Sequence, residues 1–284
     1  MVDATILLVG HGSRGAGGNQ EVEKFTEQWR QCHQDRRIEL CFIELAEILL
    51  PEGLDKAARN SQRVRVVPFI LNAAGHVKME VPAAVAEARL RHPKVTFEVA
   101  SHLGVCEPLL KVTRRSLHRA MVALDLPDPK TTGVVLLARG SSDTAANGEM
   151  ARMARWLFEE TDHELVELAF TGITWPRLES TVQRLQRLGM TQVAIVPYYL
   201  FTGTLMQRIE RQVERLRGQY PQLGIAQAAH FGFEPEIFAL LDQRIADTGG
   251  SSMLACDGCS YREAATEASG HHRHHETKRC GHAH

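Results

Sequence analysis

Residues 5–12 read TILLVGHG and residues 133–140 read GVVLLARG. Each is a run of branched apolar residues ending in a glycine-containing turn, the pattern of a buried strand entering a loop. Each is followed by an amphipathic stretch that ends near a tryptophan, Trp29 or Trp156. The likeness extends outward. VRVVPFILNAAG (64–75) matches VAIVPYYLFTG (193–203), and VTFEVASHLG (95–104) matches LGIAQAAHFG (223–232), which sets His102 opposite His230. Three segments recur in one order at nearly one offset, so the chain reads as an internal duplication.

Each copy alternates apolar strands with longer amphipathic stretches. Strands are expected at about 5–9, 38–45, 64–70 and 94–100, and again at about 133–138, 163–170, 191–197 and 223–228. Helices are expected at about 19–32, 51–60, 77–91 and 106–122 in the first copy. Near-continuous apolar strands alternating with helices predict an α/β fold with parallel sheets covered on both faces. The segment DLPDPKTT (125–132) is a natural linker, and periodicity stops after about 246. The expected division is a domain at 1–125, a second at 131–246, and a Cys/His-rich tail at 247–284.

The bulk properties bound the function. A chain of 284 residues, 44% hydrophobic and 24% charged, has the profile of a soluble globular protein. A net charge of −1 advertises no nucleic-acid partner. No apolar run approaches the roughly 20 residues that span a bilayer, and MVDATILLVG lacks the basic start of a signal peptide. A cytoplasmic protein is expected, with Cys32, Cys41 and Cys106 as reduced thiols.

Ligands of open parallel α/β sheets bind beyond the carboxyl ends of the strands. His11 follows the first strand, Glu44 ends the second, His76 follows the third and His102 the fourth. The second copy is an internal control. It sets Arg139 opposite His11, Gly172 opposite Glu44 and Thr204 opposite His76. Only His102 keeps its counterpart, His230, which favours a structural role for that pair. Imidazole is the commonest ligand for late divalent metals, so His11, Glu44 and His76 together point to metal or proton chemistry.

Other readings compete. GHGSRG is also a literal G-x-G-x-x-G on Gly10, Gly12 and Gly15, the dinucleotide fingerprint. The distance to Glu44 is longer than that motif expects, and the motif leaves both histidines unused. Ser13 lacks the glycine two positions before it that a nucleophile elbow needs. The tail HHRHHETKRCGHAH suits a non-enzymatic metal carrier or a delivery segment. Before it, Cys256 and Cys259 form a C-x-x-C, to which Cys280 can add a third thiol; zinc, redox and iron–sulfur chemistry all use that motif.

GHGSRG (10–15), CFIELAE (41–47) and PFILNAAGHVKMEVP (68–82) resemble the sirohydrochlorin cobaltochelatase and ferrochelatase family of class II chelatases, in its long duplicated form, over about 1–246. The resemblance implies two tandem flavodoxin-like domains enclosing a tetrapyrrole cleft. It implies ATP-independent insertion of a divalent metal into sirohydrochlorin, on the way to cobalamin or sirohaem. His11 and His76 match the family's metal-handling histidines and Glu44 its carboxylate. The resemblance also implies an iron–sulfur cluster at Cys256 and Cys259. Sirohydrochlorin carries many carboxylates, and Arg14, Lys78, Arg139 and Arg208 follow strand ends where they could receive them. The histidine-rich tail favours cobalt over iron and would serve nickel too. A monomer or homodimer is expected, because the two copies can face each other within one chain.

Overall fold

The computed structural model describes residues 2–72, 74–125 and 127–247. In the first copy β1 (Val2–Gly10), β2 (Arg37–Phe42), β3 (Ser61–Pro68) and β4 (Thr96–Val99) form a parallel sheet in the order β2-β1-β3-β4. In the second, β5 (Thr132–Ala138), β6 (Val166–Phe170), β7 (Gln192–Pro197) and β8 (Gly224–Gln227) repeat it as β6-β5-β7-β8. The crossovers are α1 (Ala16–Cys32), α2 (Leu50–Ala58) and α3 (Gly75–Arg91), then α5 (Thr144–Glu159), α6 (Leu178–Arg187) and α7 (Thr204–Gln219). Each copy closes with a further helix, α4 (Glu107–Val122) or α8 (Pro235–Ala246). The α/β duplication is thus present, with four strands per sheet.

Alternation along each strand sorts the core. Leu7, Val9, Val64 and Val66 face a core built with α2 and α3. Ile6, Leu8 and Val67 face the other way, into a core shared with Val134, Leu136, Ala194 and Val196 of the second copy. The closing helices are exchanged. α4 packs on β7 and β8, and α8 packs on β3 and on α4. Arg244 of α8 donates to the carbonyls of His102 (3.0 Å) and Leu103 (2.7 Å), while Arg115 and Arg119 of α4 bind Glu234 at the N-cap of α8 and Arg115 also binds Glu236 in its first turn. Phe25 of α1 lies between the copies, stacked on Phe238 at 4.0 Å and tilted against Phe69 at 4.8 Å. Full burial of such a side chain contributes about 2–3 kcal/mol.

Among the element ends that differ from expectation, two move site residues. β2 stops at Phe42 rather than running to 45: Leu45 takes a left-handed φ of 57° and the chain turns back, so that the Ile48 carbonyl accepts from the Phe42 amide (3.0 Å) on the outer edge of the strand. Glu44 is therefore in a loop, although its amide still donates to the His11 carbonyl at 3.1 Å. α3 begins at Gly75, so His76 stands in the first helical turn instead of in a loop.

Candidate active site

Strand order reverses between β1 and β3 and again between β5 and β7. Those are the switch points where α/β sheets leave a crevice. The exchanged helices turn the two crevices toward each other. A cavity of about 560 Å³ lies between them. It is lined by residues just past β1 (His11), past β3 (Phe69–Asn72, then Ala74, Gly75, Val77, Met79 and Glu80), past β5 (Arg139–Ser142) and past β7 (Tyr198–Leu200). Much of the wall is apolar: Ile70, Leu71, Met79, Met150, Ile173 and Leu200.

His11 sits on this wall between two charges. Its Nδ1 is 3.5 Å from Glu44 Oε1, and its Nε2 is 3.2 Å from Arg139 Nη1. Glycines make the approach of Glu44 possible. Gly12 has φ 95°, and a Cβ there would lie 1.7 Å from the Glu44 carbonyl oxygen. The second copy keeps the same backbone. Gly140 has φ 84°, and its Cβ would lie 2.3 Å from the Gly172 carbonyl oxygen. The loops are thus built alike and furnished differently. Repeat symmetry also brings His11 and its counterpart Arg139 face to face.

The remaining sequence candidates divide. His76 is placed by its backbone in α3, between the cavity-lining Gly75 and Val77; its side chain lies outside the described residues. Lys78 is held by Asp143 at 2.5 Å and is absent from the cavity wall. Burial alone would raise the Asp143 carboxyl, but the Lys78 ammonium and the amides of Ala145 and Ala146 outweigh it and hold the carboxyl below its ordinary range. Arg14 and Arg208 are exposed and do not line the cavity. His102 is pushed down to about 4 by burial, assisted by the Arg244 and Lys78 cations, so it stays neutral near pH 7. His230 instead pairs with Glu21 at 3.3 Å. Cys256, Cys259, Cys280 and the histidines of the tail lie outside the described residues. Among the described residues no group of three His, Cys, Asp or Glu side chains is arranged to hold a metal ion.

The structure adds residues that the sequence did not single out. Ser141, Ser142 and Asn147 line the cavity, and Asn147 accepts from the Ser141 amide (3.0 Å) while donating to its carbonyl (2.8 Å). Asn72 crosses to the Ala146 carbonyl at 2.7 Å. The Tyr199 hydroxyl pairs with Thr171 at 2.8 Å, and burial pushes its phenol up to about 12. Repeat equivalence to the GHGSRG loop was the one signal for the Ser141 segment.

The dinucleotide reading meets a steric obstacle. A pyrophosphate would sit at the N-terminus of α1. That end is covered by the second copy. A Cβ added at Gly15 or Gly17 would lie 3.5 Å from Thr204 or 3.6 Å from Thr202, and one at Gly18 would lie 3.0 Å from the Thr202 carbonyl oxygen. The Thr202 amide donates to Glu21 at 2.7 Å. Ser13 serves the same loop, accepting from the Gly15 amide at 3.3 Å.

Comparison with known proteins agrees with this geometry. The CbiX family model matches residues 5–120 and again 133–248. A sirohydrochlorin cobaltochelatase of Priestia megaterium is 35% identical over 94% of this chain and 88% of its own length. A sirohydrochlorin ferrochelatase of Bacillus subtilis is 29% identical over 92% of this chain and 98% of its own. Among solved structures, SirB from Bacillus subtilis with Fe³⁺ superposes with a TM-score of 0.75 at 29% identity, covering 87% of this chain and 96% of that one. SirB from Bacillus subtilis subspecies spizizenii in complex with cobalt gives 0.70 at 26% identity, over 86% and 94%. Two matched repeats, the shared strand order and whole-chain relatives carry one conclusion: the chain belongs to the CbiX family.

Proposed function

We propose that this chain is a sirohydrochlorin chelatase that inserts a divalent metal into the macrocycle without ATP, with cobalt as its metal. The observation that carries the reading is His11, set on the wall of a largely apolar cavity with a carboxylate at one ring nitrogen. Apolar faces suit a macrocycle, and family membership supplies the substrate class. Chelation exchanges two pyrrolic N–H protons for one M²⁺. A histidine can hold the ion weakly and accept a proton, and Glu44 can orient the ring or take the second proton. His76 is the second metal-handling residue in this reading. The first copy, 1–125, carries that chemistry, and the second, 131–246, supplies the facing wall.

Arg139 is the cationic residue on that wall, which favours it over Arg14, Lys78 and Arg208 as a receiver of substrate carboxylates. The cobaltochelatase relative supports cobalt, and cobalt points to cobalamin synthesis; the ferrochelatase relatives support Fe²⁺ as the second reading, for sirohaem. One chain provides both walls, which supports a monomeric working unit. No described helix is long and apolar enough to cross a membrane, and a cytoplasmic location fits a biosynthetic chelatase. An iron–sulfur cluster on Cys256 and Cys259 is a separate proposal, from sequence alone, tested by iron analysis of anaerobically purified protein.

The test is direct. Incubate the full chain with sirohydrochlorin and Co²⁺, or anaerobically with Fe²⁺, and follow the absorbance change. Rates with Co²⁺ above those with Fe²⁺ support the metal assignment. His11→Ala and His76→Ala are each expected to lose at least a hundredfold, about the scale of one acid–base group. Wild-type rates in both would overturn the site.

A further inference from the structure

A guanidinium has donors and no acceptor. The 3.2 Å contact from Arg139 therefore requires a lone pair on His11 Nε2, which leaves the ring proton on Nδ1, toward Glu44. The nitrogen a metal would need is thus already engaged, and by a cation. A metal–imidazole bond is about 2.0–2.1 Å long, so a dication at Nε2 would share its space with the guanidinium. Metal and Arg139 exclude each other at that atom. Among the described residues the Arg139 guanidinium makes its one hydrogen bond to His11, so nothing else there fixes it. A carboxylate entering the cavity offers it a better partner, because it is anionic and can accept two parallel N–H bonds, whereas the neutral imidazole accepts one.

We propose that Arg139 is a latch on His11, released when a carboxylate of the tetrapyrrole takes the guanidinium. Metal then binds His11 tightly only after the macrocycle has arrived. Linkage makes the coupling reciprocal: whatever the tetrapyrrole gains for the metal, the metal gains for the tetrapyrrole. The latch rests on the chelatase reading and deepens it, giving Arg139 a positioning role.

The experiment is a Co²⁺ titration of the full chain without tetrapyrrole, followed by visible absorbance, for wild type, Arg139→Gln and Arg139→Ala. Each is repeated in a His11→Ala background. Subtracting that background removes cobalt held by the histidine-rich tail. Both Arg139 variants are expected to tighten the His11-dependent component by about tenfold, within the usual range of site-to-site coupling. In ¹⁵N-histidine spectra of metal-free protein, metal-free sirohydrochlorin should shift Nε2 of His11 in wild type and leave it nearly still in Arg139→Gln. Unchanged cobalt affinity in both Arg139 variants, with a His11-dependent component present, would overturn the latch and leave the chelatase reading standing. Absence of any His11-dependent component would overturn both.

Discussion

The duplication creates two seams between the copies, and they are built in opposite ways. At one, the start of α1 meets the start of α7 through Gly15, Gly17 and Gly18 against Thr202 and Thr204, and the seam is closed. At the other, the start of α5 meets the start of α3, and the cavity opens there. The equivalent N-caps show how. Gly15 caps α1 without a side chain; Asp143 caps α5, accepting from the Ala145 amide at 3.0 Å, and also binds Lys78. Three small residues let backbones touch. At the other seam the Asp143–Lys78 ion pair and the Asn72 amide bridge the two copies through side chains. A symmetric repeat thus yields one cleft instead of two shallow ones, and that cleft is where His11 meets Arg139.

The comparison can be attacked most severely by exchanging the two facing residues. His11→Arg combined with Arg139→His moves the imidazole to the loop whose partner position is Gly172. Metallation should fall about a thousandfold, because the carboxylate stays behind. A double variant with a tenth of wild-type activity would show that the loops are interchangeable.

Next comes the prop of the open seam. Asp143→Ala removes a helix cap and strands Lys78, which is only 20% exposed. The combined cost is about 4 kcal/mol, read from urea unfolding. A loss below about 1 kcal/mol would mean the pair does not hold the seam.

The equivalent histidines supply a third test. His102 is depressed by burial to about 4, so the unfolded chain binds its proton first as pH falls. Its contribution is full above about 6.5 and is lost as pH drops toward 4, a difference of about 3 kcal/mol. The stability difference between wild type and His102→Gln should shrink over that range, measured by urea unfolding at pH 7 and pH 4.5. A constant difference would remove the contrast with the Glu21-paired His230.

The smallest effect belongs to the closed seam. Gly18→Ala gains about 1 kcal/mol of helix propensity but drives a methyl to 2.9 Å from Ser13, at an overpacking cost of about 2 kcal/mol. A net loss of about 1 kcal/mol is expected, with metallation unchanged.

The strands, the repeat and the rim positions of His11 and Glu44 were legible, because apolar periodicity and strand-end placement are local properties. Lys78 was misleading. Its position after a strand resembled that of Arg139, and its partner Asp143 lies 65 residues away on the other copy. The β2 terminus was missed because Ile43 and Leu45 continue the apolar pattern while the backbone turns at Leu45, whose φ is 57°. Exchange of α4 and α8 left no mark either, since an amphipathic face does not say which sheet it covers.

That exchange sets how the protein can move. Swinging the copies apart about residues 123–131 would peel α4 from β7 and α8 from β3, exposing Leu109, Leu117, Ile237 and Leu240 to water. Clamshell motion about that linker therefore carries a large cost in exposed apolar surface, and rotations of single side chains at the cavity mouth are the cheaper route for entry and exit.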